Sequence, residues 1–223
     1  MLHPAPIKLI IFDNDGTLMD TDWVFDAAHK ICTGFDQTWE LKSKINGKTP
    51  IEACRITCEY HGLKETPESL LQRRLQIEDE NWPKVQLMPG AMDIVNEFKN
   101  RGLKMSIATA STRDGFNLKI TNHQDLLSMM DATVVADEVK HGKPEPDLFL
   151  AALAKFPGIK AEEALVFEDS PLGIKAANRA GMPSVFVPDK HLNIEQTIKD
   201  HNICPTCVIE SFAKFDFTKF KFN

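Results

Sequence analysis

The sequence predicts an α/β fold, a parallel sheet covered by helices, with an α-helical domain inserted near its start. Three observations lead there. From Lys8 onward, short apolar runs alternate with amphipathic helical patterns, the signature of βαβ units. About ninety residues separate the first apolar run from the second, far more than the dozen or so a crossover needs. Two aspartates, Asp13 and Asp15, leave the end of the first run together, because side chains at i and i+2 of a strand share a face.

Taken in order, the first strand is Leu9–Phe12, an unbroken apolar run of the kind buried on both faces. Gly16 permits a sharp turn just after the aspartates. Residues 22–85 carry four helical patterns, Trp23–Ile31, Thr38–Lys44, Pro50–His61 and Glu68–Glu80, and no convincing strand. The expected organisation is therefore a core of residues 1–20 and 86–223 with a helical cap at 21–85. Cys54 and Cys58, four apart in a helical pattern, are expected to be buried small apolar residues.

After the insertion, Met88-Pro89-Gly90 opens a helix with Ile94, Val95 and Phe98 on its apolar face, and Gly102 stops it. Strands follow at Lys104–Ala108 and Ala132–Ala136. A helix beginning at Pro146 buries Leu148, Phe149, Ala152 and Leu153. The run Ala164–Phe167 is the next strand, the helix Pro171–Ala180 stops at Gly181, and Ser184–Val187 is the last strand. The run FAKFDFTKFKFN at the end reads as a final helix and tail packing phenylalanines on the core.

Composition narrows the function. The chain has 223 residues, 43% of them hydrophobic, enough for a domain with a substantial insertion. A net charge of −6 with no basic run gives no footprint for a nucleic-acid polymer. No stretch approaches the roughly 20 apolar residues of a spanning helix. Five cysteines without framework spacing are expected to be reduced thiols. Cys204 and Cys207 form a lone CxxC, read as structural because no second pair completes a zinc site. The expectation is a cytoplasmic monomer that engages neither membrane nor nucleic acid.

Four groups carry chemistry. Beside Asp13 and Asp15 stand Thr109 after MSIA, Lys143 in HGKPEPD, and Glu168-Asp169 after ALVF. Three of the four lie where a strand ends, and in open parallel sheets ligands collect outside the carboxyl ends of the strands. A hydroxyl, a lysine and several acids gathered there suit a phosphate and a divalent metal.

In order and approximate spacing, DNDGT, Thr109, the lysine of GKPEPD and the EDS of Glu168–Ser170 resemble the four motifs of the haloacid dehalogenase superfamily. With a helical cap between the first and second motifs, the chain resembles its subfamily of small capped phosphatases. The stretches INGKTPIEA, LMPGA, EVKHGKPEPDLFLA and FEDSPLGIKAANRAGM are most similar to pseudouridine-5'-phosphatases and their relatives. The resemblance implies a Rossmann-like core and a Mg²⁺-dependent phosphomonoesterase acting on a small phosphorylated metabolite.

The resemblance also implies roles. Asp13 is the nucleophile and forms an aspartyl-phosphate, and Asp15 is general acid and then base. The metal ligands are Asp13, Asp169, the Asp15 carbonyl and Glu168, the last either directly or through water. Thr109 and the backbone around Ala110 and Ser111 would hold the phosphoryl group, and Lys143 would offset its charge. The loop Asn46-Gly47-Lys48-Thr49 corresponds to one that reads substrate, with Lys48 the candidate contact. Arg73 and Arg74, on a cap helix, could also reach inward, with charged surface the preferred reading. Phe25 stands where beta-phosphoglucomutases carry a histidine, which favours a phosphatase over a sugar-phosphate mutase. Beyond the enzyme readings stands a catalytically silent binding module of the same fold.

Overall fold

A computed structural model of the chain describes residues 3–45 and 48–222. By its internal contacts the chain divides into two compact units, Met1–Asp20 with Gln86–Asn223, and Thr21–Val85.

The larger unit is built on a six-stranded sheet, parallel throughout. Its spatial order is Ala132–Val134, Lys104–Ala108, Leu9–Phe12, Ala164–Glu168, Ser184–Phe186 and Cys207–Val208. Numbered along the chain, this is 3-2-1-4-5-6, the doubly wound order whose strand sequence reverses at the first strand. Leu9–Phe12 is therefore flanked on both sides, by Lys104–Ile107 and by Ala164–Phe167, with Phe12 opposite both Ile107 and Phe167.

Alternation along the strands makes two apolar layers. Leu9 and Ile11 pack with Val166, Leu148, Phe149, Ala176 and Ala177 beneath the helices Asp147–Ala154 and Pro171–Arg179. On the other face, Phe12 lies 5.2 Å from Phe167 and 6.2 Å from Phe98 of the helix Ala91–Asn100. Phe212 and Phe215 from the chain end close over the same rings.

That chain end is a correction to the expected final helix. Phe212–Lys214 and Phe217–Lys219 are single 3-10 turns, and Lys221–Phe222 pairs in parallel with Pro6–Ile7. The phenylalanines recur every two or three residues, a spacing that suits turns and extended backbone rather than a 3.6-residue period. Two strands also end earlier than expected, at Val134 and Phe186. The helices Arg113–Ile120, Gln124–Met129 and Ile194–His201 were not anticipated from the pattern.

Among its described residues the smaller unit holds four α-helices, Asp22–Thr33, Trp39–Ile45, Pro50–His61 and Pro67–Asn81. The third and fourth begin with capping threonines: Thr49 accepts from the Glu52 N–H and Thr66 from the Ser69 N–H, each followed by a proline. Cys32, Cys54, Cys58 and Leu70 form its apolar cluster. Arg74, expected at the surface, is instead buried beside Glu78 at 3.1 Å, since a charged side chain turned inward needs a counter-charge. Phe25 packs edge-on against Trp82 at 5.1 Å.

Candidate active site

The site lies in the larger unit, where the first strand meets its two neighbours. Hydrogen bonding continues to the end of each strand: the Asp13 N–H donates to the Phe167 carbonyl at 2.9 Å, and the Thr109 N–H to that of Val134 at 3.0 Å. The carboxylate and the hydroxyl thus stand on backbone held by the sheet rather than on free loops. Beyond Asp13 the Asn14 carbonyl accepts from Leu18 and Met19 N–H groups, closing the turn that presents Asp15.

Asp13, Glu168 and Asp169 each offer an oxygen within 4.8 Å of the others. Lys143 bonds to Asp13 Oδ1 and reaches Glu168 Oε1 at 2.6 Å, with its side chain only 8% exposed. Glu168 also accepts from the Ser170 N–H at 2.6 Å, and Asp169 from the Thr17 hydroxyl at 2.9 Å. The loop carrying Lys143 is fixed in turn by Arg179, which donates to the Pro144 carbonyl at 3.0 Å and pairs with Glu145.

Asp15 belongs to a second network. Its Oδ1 receives Lys119 Nζ at 2.5 Å, and its Oδ2 receives the hydroxyls of Ser111 at 2.8 Å and Thr109 at 3.2 Å. The Ser111 N–H donates to Thr109 Oγ1 at 3.0 Å, while Ala110 is exposed in the turn. In this arrangement the Thr109 and Ser111 hydroxyls both serve Asp15.

The two aspartates consequently differ. Burial pushes Asp13 up to about 7, opposed by the Lys143 charge and reinforced by Glu168 and Asp15. Asp169 is raised well above the usual carboxylate range by burial, with Glu168 and Asp13 adding to it. For Asp15, burial works upward, but the Lys119 charge and the Lys119, Ser111 and Thr109 hydrogen bonds outweigh it and leave the group below its ordinary value.

These residues suit a divalent cation. The three carboxylates are hard oxygen donors gathered within 4.8 Å, and burial raises two of them, Asp13 and Asp169, above their usual range, so that charge neutralisation there is favoured. Small residues leave the acids their space. Gly16 sits at φ +77°, and any side chain there would run into the Asp169 carboxylate. At Gly173 a side chain would collide with that of Glu168.

Asp13, Asp15, Thr109, Ser111, Lys143, Glu168 and Asp169 are thus gathered in one unit. Lys48 is not among them: it precedes the capping Thr49 in the helical unit, and Asn46 and Gly47 lie outside the described residues. Sequence reasoning missed Lys119 and Thr17. The signal for Lys119 was a lysine flanked by Phe116 and Ile120 on the buried stripe of a helix.

A family model described as haloacid dehalogenase-like hydrolase matches residues 10–187. The chain is 37% identical over 196 residues to (DL)-glycerol-3-phosphatase 1, mitochondrial, of Arabidopsis thaliana, an alignment covering 84% of this chain and 66% of that one. It is 34% identical over 213 residues to the "Probable pseudouridine-5'-phosphatase" of Drosophila melanogaster, covering 92% and 90%. Among solved structures, a hydrolase from Pseudomonas syringae superposes with a TM-score of 0.71 at 25% identity, covering 92% of this chain and 94% of that one.

Proposed function

The chain belongs to the haloacid dehalogenase-like hydrolases, and from that premise we propose that it is a Mg²⁺-dependent phosphomonoesterase acting on a small phosphorylated metabolite. The observation that carries the reading is the division of labour between two neighbouring aspartates. Asp13 stands among acids and Lys143 where a phosphoryl group and a cation would meet. Asp15 is held apart by hydroxyls and a second lysine.

Asp13 attacks phosphorus in line: an Oδ–P bond forms as the ester P–O bond breaks, and Asp15 delivers to the departing alkoxide the proton it took from water in the preceding turnover. Water then attacks phosphorus as its proton passes to Asp15; the Asp13 Oδ–P bond breaks, inorganic phosphate leaves, and the Asp13 carboxylate is regenerated. Lys143 offsets the charge of the phosphoryl oxygens. Asp13, Asp169, Glu168 and the Asp15 carbonyl would hold Mg²⁺, which supplies charge neutralisation for the approach of two anions. Lys48 is proposed as a contact for the ester's organic part, tested by whether Lys48→Ala raises KM while sparing kcat.

The relatives put glycerol 3-phosphate beside pseudouridine 5'-phosphate as first substrates. Phosphate release over a panel of both, with other nucleoside monophosphates and pentose and hexose phosphates, tests the assignment. No release from any monoester with Mg²⁺ would reject a phosphatase and revive the silent module. Comparable rates for all would leave the chemistry and reject a specific substrate. The mutase reading is disfavoured by Phe25, which packs on Trp82 and offers no proton-carrying group. A requirement for a bisphosphate activator would restore it.

A further inference from the structure

Lys119 lies on the helix Arg113–Ile120 with its side chain 5% exposed, between the buried Phe116 and Ile120. A lysine taken out of water is costly unless its charge is answered. Here Asp15, 104 positions earlier in the chain, answers it at 2.5 Å, and Lys119 also donates to Ser111 Oγ at 2.8 Å. The Ser111 hydroxyl in turn donates a hydrogen bond to the other oxygen of the same carboxylate. Both oxygens of Asp15 are thereby held, one by a cation and one by two hydroxyls, whereas Asp13 and Glu168 are served by Lys143.

We propose that Lys119 is a positioning residue for Asp15: with Ser111 it fixes the orientation from which that carboxyl group serves first the leaving alkoxide and then water. This rests on the acid/base role proposed for Asp15. Lys119 acts through Asp15 and not on the phosphoryl group, so its loss acts on proton delivery while leaving attack by Asp13 intact. Orientation of a reacting group is worth orders of magnitude in rate when lost, without any change in the groups present.

The distinction is visible in the leaving group. An alkyl phosphate needs a proton on its departing oxygen, while p-nitrophenolate departs without one. With enzyme in excess, Lys119→Met is expected to slow cleavage of the best alkyl substrate by about 100-fold. Release of p-nitrophenolate from p-nitrophenyl phosphate should stay within about threefold of wild type. With p-nitrophenyl phosphate in excess, the variant should release one equivalent and stall, because hydrolysis of the aspartyl-phosphate also uses Asp15. Lys119→Gln, which keeps a donor without the charge, should fall between, and it carries the same comparison if Lys119→Met does not fold. Equal losses on the two esters, or no loss on either, would overturn the positioning role. A wild-type protein that cleaves neither ester would instead sink the phosphatase reading beneath it.

Discussion

Lys143 Nζ lies 2.6 Å from Glu168 Oε1, joining a loop residue to a strand end 25 positions away, with the carboxylate side chain only 1% exposed. The same ammonium bonds to Asp13, so one lysine neutralises parts of two acids that otherwise repel. Lys143→Met is expected to lower kcat/KM by about 10²–10³, the usual cost of removing one preorganised donor from a transition state. It should also require more Mg²⁺ for half-maximal activity, because the acids are left less ordered. Steady-state kinetics across a Mg²⁺ titration checks both, and an unchanged kcat/KM would remove Lys143 from the site.

Asp13→Asn should separate stability from activity. Burial makes the charged form of Asp13 costly, and its neighbours Glu168 and Asp15 add to that cost. The neutral amide removes the repulsion, so without metal at pH 8 the variant should melt at or above the wild-type temperature. Phosphate release should be abolished, and no phosphorylated protein should be trapped by acid quench. Wild-type turnover in this variant would sink the nucleophile assignment.

A chelator should remove activity, and restoring Mg²⁺ should raise the melting temperature. At 100 times its dissociation constant a ligand that binds only the native state adds about 2.7 kcal/mol. For a chain of this size that corresponds to roughly 5–11 °C. Asp169→Asn should lose most of that shift, as should Gly16→Ala, whose methyl group would press on the Asp169 carboxylate from a left-handed backbone position. Differential scanning fluorimetry with and without Mg²⁺ reads the effect.

In the helical unit, His29 is fully buried and its Nε2 meets that of His61 at 3.1 Å. Burial holds His29 down to about 4, helped by the His61 and Arg74 charges and opposed by Asp26 and Asp36. The unfolded chain therefore takes up this proton near pH 6.5 while the folded one does not. The associated stability is present above pH 6.5 and is lost as pH falls toward 4. Urea unfolding at pH 7.5 and 4.5 should show a smaller decline for His29→Gln than for wild type. Equal declines would remove His29 as the cause.

Much of this was legible from local pattern. The strands Leu9–Phe12 and Lys104–Ala108 and the helix Pro50–His61 occur at their expected bounds, because unbroken apolar runs and a Thr-Pro helix start are strong short-range signals. The short helices Arg113–Ile120 and Gln124–Met129 were not, since six to eight residues span barely two turns and offer little periodicity to read. The chain end went astray because a dense run of phenylalanines states that it is buried without stating in what conformation.

The order of acids, hydroxyl and lysine along the chain was sufficient to name a phosphoryl-transfer chemistry, because the acids and the hydroxyl follow strands whose bounds can be read from their own apolar runs, while the lysine stands in a loop. Which lysine serves which acid was decided only by the fold. Asp13 pairs with Lys143 and Asp15 with Lys119 across 130 and 104 positions. Those pairings depend on where a loop and a short helix come to rest at the sheet's carboxyl edge. Apolar periodicity says that a face is buried, but a lysine on that face is assigned a partner only when tertiary packing brings an opposite charge within reach of its ammonium group.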